Sequence, residues 1–139
     1  MFSALSGNTS KRGAVSLESI VVFALGGMAY GLLELLWRGW THWTMPLCGG
    51  LCFLIMYVIS KLNIPLIRKW FLSAAGIVTI EFYTGCLVNL AFGWNVWDYS
   101  DIPYNLLGQI CLRFSLMWLA LSVPGTALCS LLRKELGKI

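Results

Sequence analysis

Apolar residues in this chain fall in long blocks. Four stand out: about Leu17 to Trp37, about Thr44 to Leu62, about Trp70 to Phe92, and about Tyr104 to Leu132, the last interrupted by Pro124-Gly125. Each is close to the ~20 residues a helix needs to cross a bilayer. None alternates apolar and polar residues as the wall of a membrane barrel must. A backbone in lipid has to satisfy its own hydrogen bonds, which leaves helices. The pattern predicts an all-α integral membrane fold of four transmembrane helices in two hairpins. A transmembrane domain over 17–132 is expected between an N-terminal segment 1–16 and a tail 133–139. The segment "MFSALSGNTSKRGAVS" is polar, and is expected to be flexible or to lie along the membrane surface. It resembles the start of a signal peptide, but the block behind it is too long and no small-residue cleavage site follows.

Composition strengthens this picture. The chain of 139 residues is 58% hydrophobic and 12% charged, against about 25% charged in a typical soluble domain. Its charges are segregated. Eight of its ten Lys and Arg residues lie before helix one (Lys11, Arg12), between helices two and three (Lys61, Arg68, Lys69) or in the tail (Arg133, Lys134, Lys138). With four helices these three places share one side, and the positive-inside rule makes that side cytoplasmic. The net charge of +4 then needs no nucleic-acid partner, and anionic lipid heads suit it as well. The expected location is the cell membrane, as a multi-pass protein.

The opposite ends of the hairpins carry "WRGWTHWT" (Trp37–Thr44) and "WNVWDYS" (Trp94–Ser100). Tryptophan at a lipid headgroup boundary anchors a helix. Here it is concentrated on one side, so the two loops are expected to pack together as a lid. Trp37, Arg38, Thr41, His42 and Trp43 would come from the first, and Trp97, Asp98 and Tyr99 from the second. Arg38 and His42 would then face Asp98 and Asp101, with Arg38 bridging Glu34 and Asp98.

An ionised residue at the centre of a span costs roughly 2.5–3.5 kcal/mol on insertion scales, and marks a functional hypothesis. Glu34, Glu81 and Arg113 are such residues. By a rise of ~1.5 Å per residue, Glu81 and Arg113 come out at similar depths, roughly 17 and 13 Å from the lid. They are expected to pair. Spacing arranges three stripes: Gly27, Gly31, Glu34 and Arg38 on helix one; Glu81, Gly85 and Asn89 on helix three; Asn105, Gln109 and Arg113 on helix four. The stripes would enclose a polar site of Glu34, Glu81, Asn89, Asn105, Gln109 and Arg113, open toward the lid. The bland alternative is that these groups only hold helices together. Gly27-x-x-x-Gly31 fits either internal packing or a homodimer face.

Other chemistry has little support. Five cysteines lie within spans, and Cys48 and Cys52 have neither a second pair nor a histidine beside them to complete a zinc pattern. No metal and no cofactor is expected. No phosphate-binding loop of the G-x-x-x-x-G-K-[ST] type occurs, so the chain shows no means of driving itself with ATP. No nucleophile-elbow context surrounds a serine.

The stretches "GGMAYGLLELLWRGWTHWTMPLCGG" and "EFYTGCLVNLAFGWNVWDYSDIPYNLLGQICLRFSLMWLALS", spanning Gly26 to Ser122, resemble small bacterial membrane proteins classed as ABC-transporter type IV permeases, or CmpB-like. The eukaryotic transmembrane protein 229 group is similar. The resemblance rests on W-R-G-x-T-H-W-T and V-W-D-Y-S-x-x-P-x-N-x-x-G-Q-I-C. It singles out Glu34, Trp37, Arg38, Gly39, Thr41, His42, Trp43, Thr44, Glu81, Gly85, Asn89, Trp97, Asp98, Tyr99, Ser100, Pro103, Asn105, Gly108 and Gln109. It implies membrane transport, with a separate ATPase or other membrane subunit as a possible partner. Four helices enclose little space, so a homo-oligomer in membrane lipid is expected. Two alternatives stay open: a membrane enzyme or lipid-binding protein using Glu34, His42 and Asp98 at headgroup level, and an accessory subunit whose lid is a protein interface.

Overall fold

The computed structural model describes residues 2–138, with side chains from Leu17 to Lys138. Its elements are α1 (Phe2–Arg38), α2 (Thr44–Ser60), α3 (Leu66–Gly85) continued by a π-helical turn (Cys86–Ala91), a short hairpin of β1 (Asn105–Leu106) and β2 (Ile110–Cys111), and α4 (Leu112–Leu136). Three stretches are long and apolar enough to cross a bilayer: Leu17–Arg38, Leu66–Ala91 and Leu112–Leu136. The fourth helix, α2, is apolar but shorter. Helical backbone starts at Phe2, so the segment before Leu17 continues α1. Pro124 lies inside α4 without ending it, although the sequence predicts an interruption there.

The surface is greasy, and the interior mixes small polar residues with apolar ones. Leu32, Leu36, Phe71, Leu116 and Leu131 are exposed, whereas Ser60, Ser73, Ser122 and Thr126 are buried. That inversion suits a bundle solvated by lipid, where close packing and hydrogen bonds replace hydrophobic burial as the glue between helices. At the basic end, the Ser60 carbonyl accepts from Lys69 Nζ (2.9 Å) and Arg133 Nη1 (2.6 Å). Lys61 lies 3.3 Å from the Glu18 carboxylate, which also accepts from the Tyr57 hydroxyl. Two apolar clusters fill the axis: Val22, Met56, Tyr57, Ile77 and Cys129 toward the basic end, and Met45, Val88, Val96 and Trp97 toward the tryptophan-rich end.

Glycine sets the α1–α2 contact. A Cβ on Gly27 would stand 2.8 Å from the Pro46 carbonyl oxygen, and one on Gly50 would stand 2.8 Å from the Phe23 carbonyl oxygen. Gly31 also faces Pro46. The Gly27-x-x-x-Gly31 motif therefore serves packing within the chain. Gly50→Ala should destabilise the protein by about 1–3 kcal/mol, because a rigid backbone stands where the methyl must go. Thermal unfolding in detergent measures it, and an unchanged midpoint would mean that the two helices can part without loss.

The largest departure from the sequence reading lies between α3 and α4. Tyr104 to Cys111 was expected to open helix four, but this stretch is a hairpin in which Asn105 pairs with Cys111 and Leu106 with Ile110. Tyr104, Leu107 and Gly108 take positive φ angles of 58°, 53° and 71°, which a right-handed helix cannot contain. The Asn105 side chain holds the turn: its Oδ1 accepts from Gly108 N (3.0 Å), and its Nδ2 donates to the carbonyls of Ile102 (2.8 Å) and Ser100 (3.2 Å). Such local side-chain bonds compete directly with a helix. The proposed helix-four stripe of Asn105, Gln109 and Arg113 therefore does not exist.

Candidate functional site

Asn89 and Gln109 meet all the same, by another route. Asn89 lies in the π-helical turn and is 7% exposed; Gln109 lies in the hairpin turn and is 2% exposed. Asn89 Nδ2 donates to Gln109 Oε1 (2.8 Å), and Asn89 Oδ1 accepts from the N–H of Val96 (2.7 Å). Gln109 Nε2 donates to the Leu107 carbonyl (2.9 Å), and its own carbonyl accepts from the Trp97 indole (3.0 Å). Two buried amides thus pin the α3–α4 loop onto the end of α3. Gly85 leaves the space for this, since a Cβ there would stand 2.6 Å from Gln109 Oε1. The helix-three stripe is real: Glu81, Gly85 and Asn89 are all buried on the inner side.

Glu81 does not pair with Arg113. Its Oε1 accepts from the Tyr99 hydroxyl (3.0 Å) and its Oε2 from the Trp118 indole N–H (3.0 Å). The reason is the hairpin. With α4 starting only at Leu112, Arg113 falls in its exposed first turn, 5.7 Å from the Phe114 ring and beside Asp101 and Tyr104. Trp118 takes the inward place. Burial, then the charge of Glu81, pushes the Tyr99 hydroxyl well above its ordinary pKa, so Tyr99 keeps its proton and donates.

Above Glu81 lies a cavity of about 290 Å³, near the lower edge of the ~300–1,000 Å³ typical of ligand sites. α1 packs along α2, and α4 packs on α2 and α3, so α1 and α4 stand as the two walls of a cleft. Tyr30, Leu33, Glu34, Trp37 and Arg38 line it from α1, Phe114, Met117, Trp118 and Leu121 from α4, and Met45, Trp97 and Tyr99 close it. The Tyr30 and Trp118 rings stack 6.0 Å apart across it. Arg38, at the end of α1, donates from Nε to Glu34 Oε2 (2.6 Å) and from Nη1 to the Val96 carbonyl (2.8 Å), and its guanidinium lies 4.3 Å from the Trp40 ring centroid. Its Nη2 is enclosed without a hydrogen-bond partner among the described residues.

The tryptophan-rich loops pack on each other, but by different contacts from those expected. Arg38 reaches the backbone of the second loop at Val96, and His42 and Trp43 lie 5.6 and 5.9 Å from the Trp94 ring. His42 Nδ1 stands 2.7 Å from Thr44 Oγ1 at the start of α2, while Thr41 lies beside it in the preceding loop. Asp98 does not touch Arg38. It is exposed and accepts from the Ser100 hydroxyl and N–H, which hold its carboxyl below the usual carboxylate range. Glu34, His42 and Asp98 therefore have separate partners and form no shared acid–base cluster. A double-mutant cycle on Arg38→Ala and Asp98→Ala should be additive within about 0.3–0.5 kcal/mol. A larger coupling energy, measured by thermal unfolding, would mean the two side chains meet in solution.

Tyr30, Trp118, Phe114 and the methionines of the cleft escaped the sequence reading. One signal was available: Trp118 puts an indole N–H well inside an apolar span, and such a donor needs an acceptor. Among the described residues no cluster of three or more His, Cys, Asp or Glu could hold a metal.

An apolar exterior, buried polar groups and three to four apolar helices define a multi-pass α-helical membrane protein. The chain belongs to the family described as "Putative ABC-transporter type IV", whose pattern matches residues 42–137. That match covers α2, α3, the hairpin and α4, while Glu34 and Arg38 lie just before it. No match was found among curated proteins or among solved structures.

Proposed function

We propose that this chain is the membrane-embedded part of a transporter in the cell membrane, and that the cleft between α1 and α4 is its substrate site. The observation that carries this reading is the cleft itself: an aromatic cavity containing the Glu34–Arg38 pair, with Glu81 bonded to two of its wall residues. The basic end, with Lys61, Lys69 and Arg133, faces the cytoplasm, so both termini are inside and the cleft lies at the outer end. The chain has no phosphate-binding loop, so a separate ATPase would supply energy for uphill movement, and a second copy would complete a pathway through the membrane.

The test is flux. Proteoliposomes holding the purified chain should exchange at least one class of labelled small amphipath faster than empty liposomes, and Glu34→Gln should slow it. Absence of flux for cations, anions and neutral compounds alike, in proteoliposomes and in native membrane vesicles, would sink the transport reading.

A second reading draws on the same cleft. Leu33, Trp37 and Leu121 at its edge are exposed, so it opens sideways, as a lipid-binding site must. Lipid co-purifying with wild type and lost in Trp97→Ala would favour it.

A further inference from the structure

We infer that the ligand of the α1–α4 cleft is an organic cation, a substituted ammonium bearing apolar groups. The inference deepens the transport reading and rests on the cleft being the substrate site. Three features of the cavity point the same way.

The walls are mostly π faces. Tyr30, Trp37, Trp97, Tyr99, Phe114 and Trp118 all line the cavity. Aromatic faces attract cations, most strongly where water is excluded. Tyr99 and Trp118 also donate hydrogen bonds to Glu81 behind them. Giving a proton partly to a carboxylate makes each ring richer in electrons, and chains of such bonds reinforce one another.

The cavity offers an acceptor for a cation. Glu34 gives Oε2 to Arg38, while Oε1 makes no hydrogen bond among the described residues and is not sealed off. One carboxylate oxygen therefore remains for an incoming ammonium or its N–H.

The positive charge beside it, Arg38, also lines the cavity but is mostly engaged elsewhere. Arg38 Nε is taken by Glu34, Nη1 by the Val96 carbonyl, and one face of the guanidinium lies over Trp40. Nη2 is enclosed and out of reach of a water-sized visitor. An anion entering the cleft would find Nε and Nη1 already engaged and the unpartnered Nη2 enclosed. It would also meet two carboxylates, Glu34 directly and Glu81 behind the aromatic wall. Arg38 thus acts as a strut that holds Glu34 in place and ties α1 to the second loop.

Two sources could supply such a ligand: a free lipophilic cation, or the quaternary ammonium of a lipid headgroup. One experiment covers both. The purified full chain, in a nonionic maltoside detergent, is titrated by calorimetry with benzyltrimethylammonium and, separately, with phenylmethanesulfonate, an anion of similar size. The cation should bind at least about tenfold more tightly, and Glu34→Gln should weaken it about tenfold while leaving the anion no weaker. Trp37→Leu keeps apolar surface at a position that is 82% exposed, so it should fold, and it should weaken the cation severalfold. Competition by dihexanoylphosphatidylcholine but not by dihexanoylphosphatidylglycerol identifies the lipid source; competition by neither identifies the free cation. Equal or tighter binding of the anion, or cation binding untouched by both variants, would overturn the inference. Cation binding without flux would remove the transport reading alone. Flux of anions without cation binding would remove this inference and leave transport standing.

Discussion

Asn89→Leu should lose about 2–6 kcal/mol of stability, because it leaves the Val96 N–H and Gln109 Oε1 without partners, at roughly 1–3 kcal/mol per buried group. Leucine is close to asparagine in size, so the loss comes from hydrogen bonds more than from a void. Both partners are buried with Asn89 under the second loop, where water cannot easily replace it. The measurement is thermal unfolding in detergent, joined to hydrogen exchange at the Val96 and Trp97 amides. Exchange there should accelerate before the helices melt, since Asn89 is what holds the loop down. Asn105→Ala is the comparison. It removes three hydrogen bonds from a partly exposed turn, where water can stand in, and should cost less. Should the order of the two variants reverse, the hairpin turn and not the α3 amide would be the anchor of the loop.

Glu81→Ala should cost about 2–4 kcal/mol, since it strands the Tyr99 hydroxyl and the Trp118 indole N–H inside the bundle. Arg113→Ala, in the exposed first turn of α4, should stay within about 0.5 kcal/mol of wild type. The contrast is decisive because a buried ion pair would make both changes severe, each leaving an unpaired charge. Glu81→Gln should fall between, as one amide oxygen can accept from only one side cleanly. Comparable losses for Glu81→Ala and Arg113→Ala would restore the ion pair and shift α4 by several residues. A further readout separates fold from site. Trp118 fluorescence should shift in Glu81→Ala, because its indole loses a charged neighbour.

The four apolar helices, the inward stripe of Glu81, Gly85 and Asn89, and the Glu34–Arg38 pair were all legible as spacing. They depend on helical periodicity, which survives whatever the neighbours do. The two loops also met as expected from their aromatic weight, but their partners did not follow from charge. Arg38 chose the Val96 carbonyl over Asp98, because a backbone oxygen already sat beside it and Asp98 was satisfied two residues away by Ser100. Opposite charges on two loops say that contact is favourable and nothing about which closer acceptor intervenes. The hairpin was the chief loss. "YNLLGQIC" is apolar enough to pass for the first turns of a span, and hydropathy outweighed the Asn-x-x-Gly signal that turns the chain there. Once that element was misread, Arg113 was placed one layer too deep and Trp118 went unnoticed. Tyr30 stands one turn below Glu34 on the same face of α1, yet it is called into the cleft by α4, and no local pattern reveals a partner so far away in sequence.

The brevity of α2 has a consequence for the membrane around the protein. Its 17 residues reach only about 26 Å at a rise of ~1.5 Å per residue, against a hydrocarbon layer of ~30 Å. Its neighbours are several residues longer, so lipid beside α2 must compress while lipid beside α3 and α4 need not. Local thinning of this kind costs fractions of a kcal/mol per Å of mismatch. Thr44 and His42, at one end of α2, belong to the tryptophan-rich cap over the cleft. The dimple in the bilayer would therefore form next to the cleft, bringing the headgroup layer down toward it. Acyl-chain length then becomes a control on the protein: thick bilayers would strain α2 and its glycine contact with α1, and thin ones would relax both.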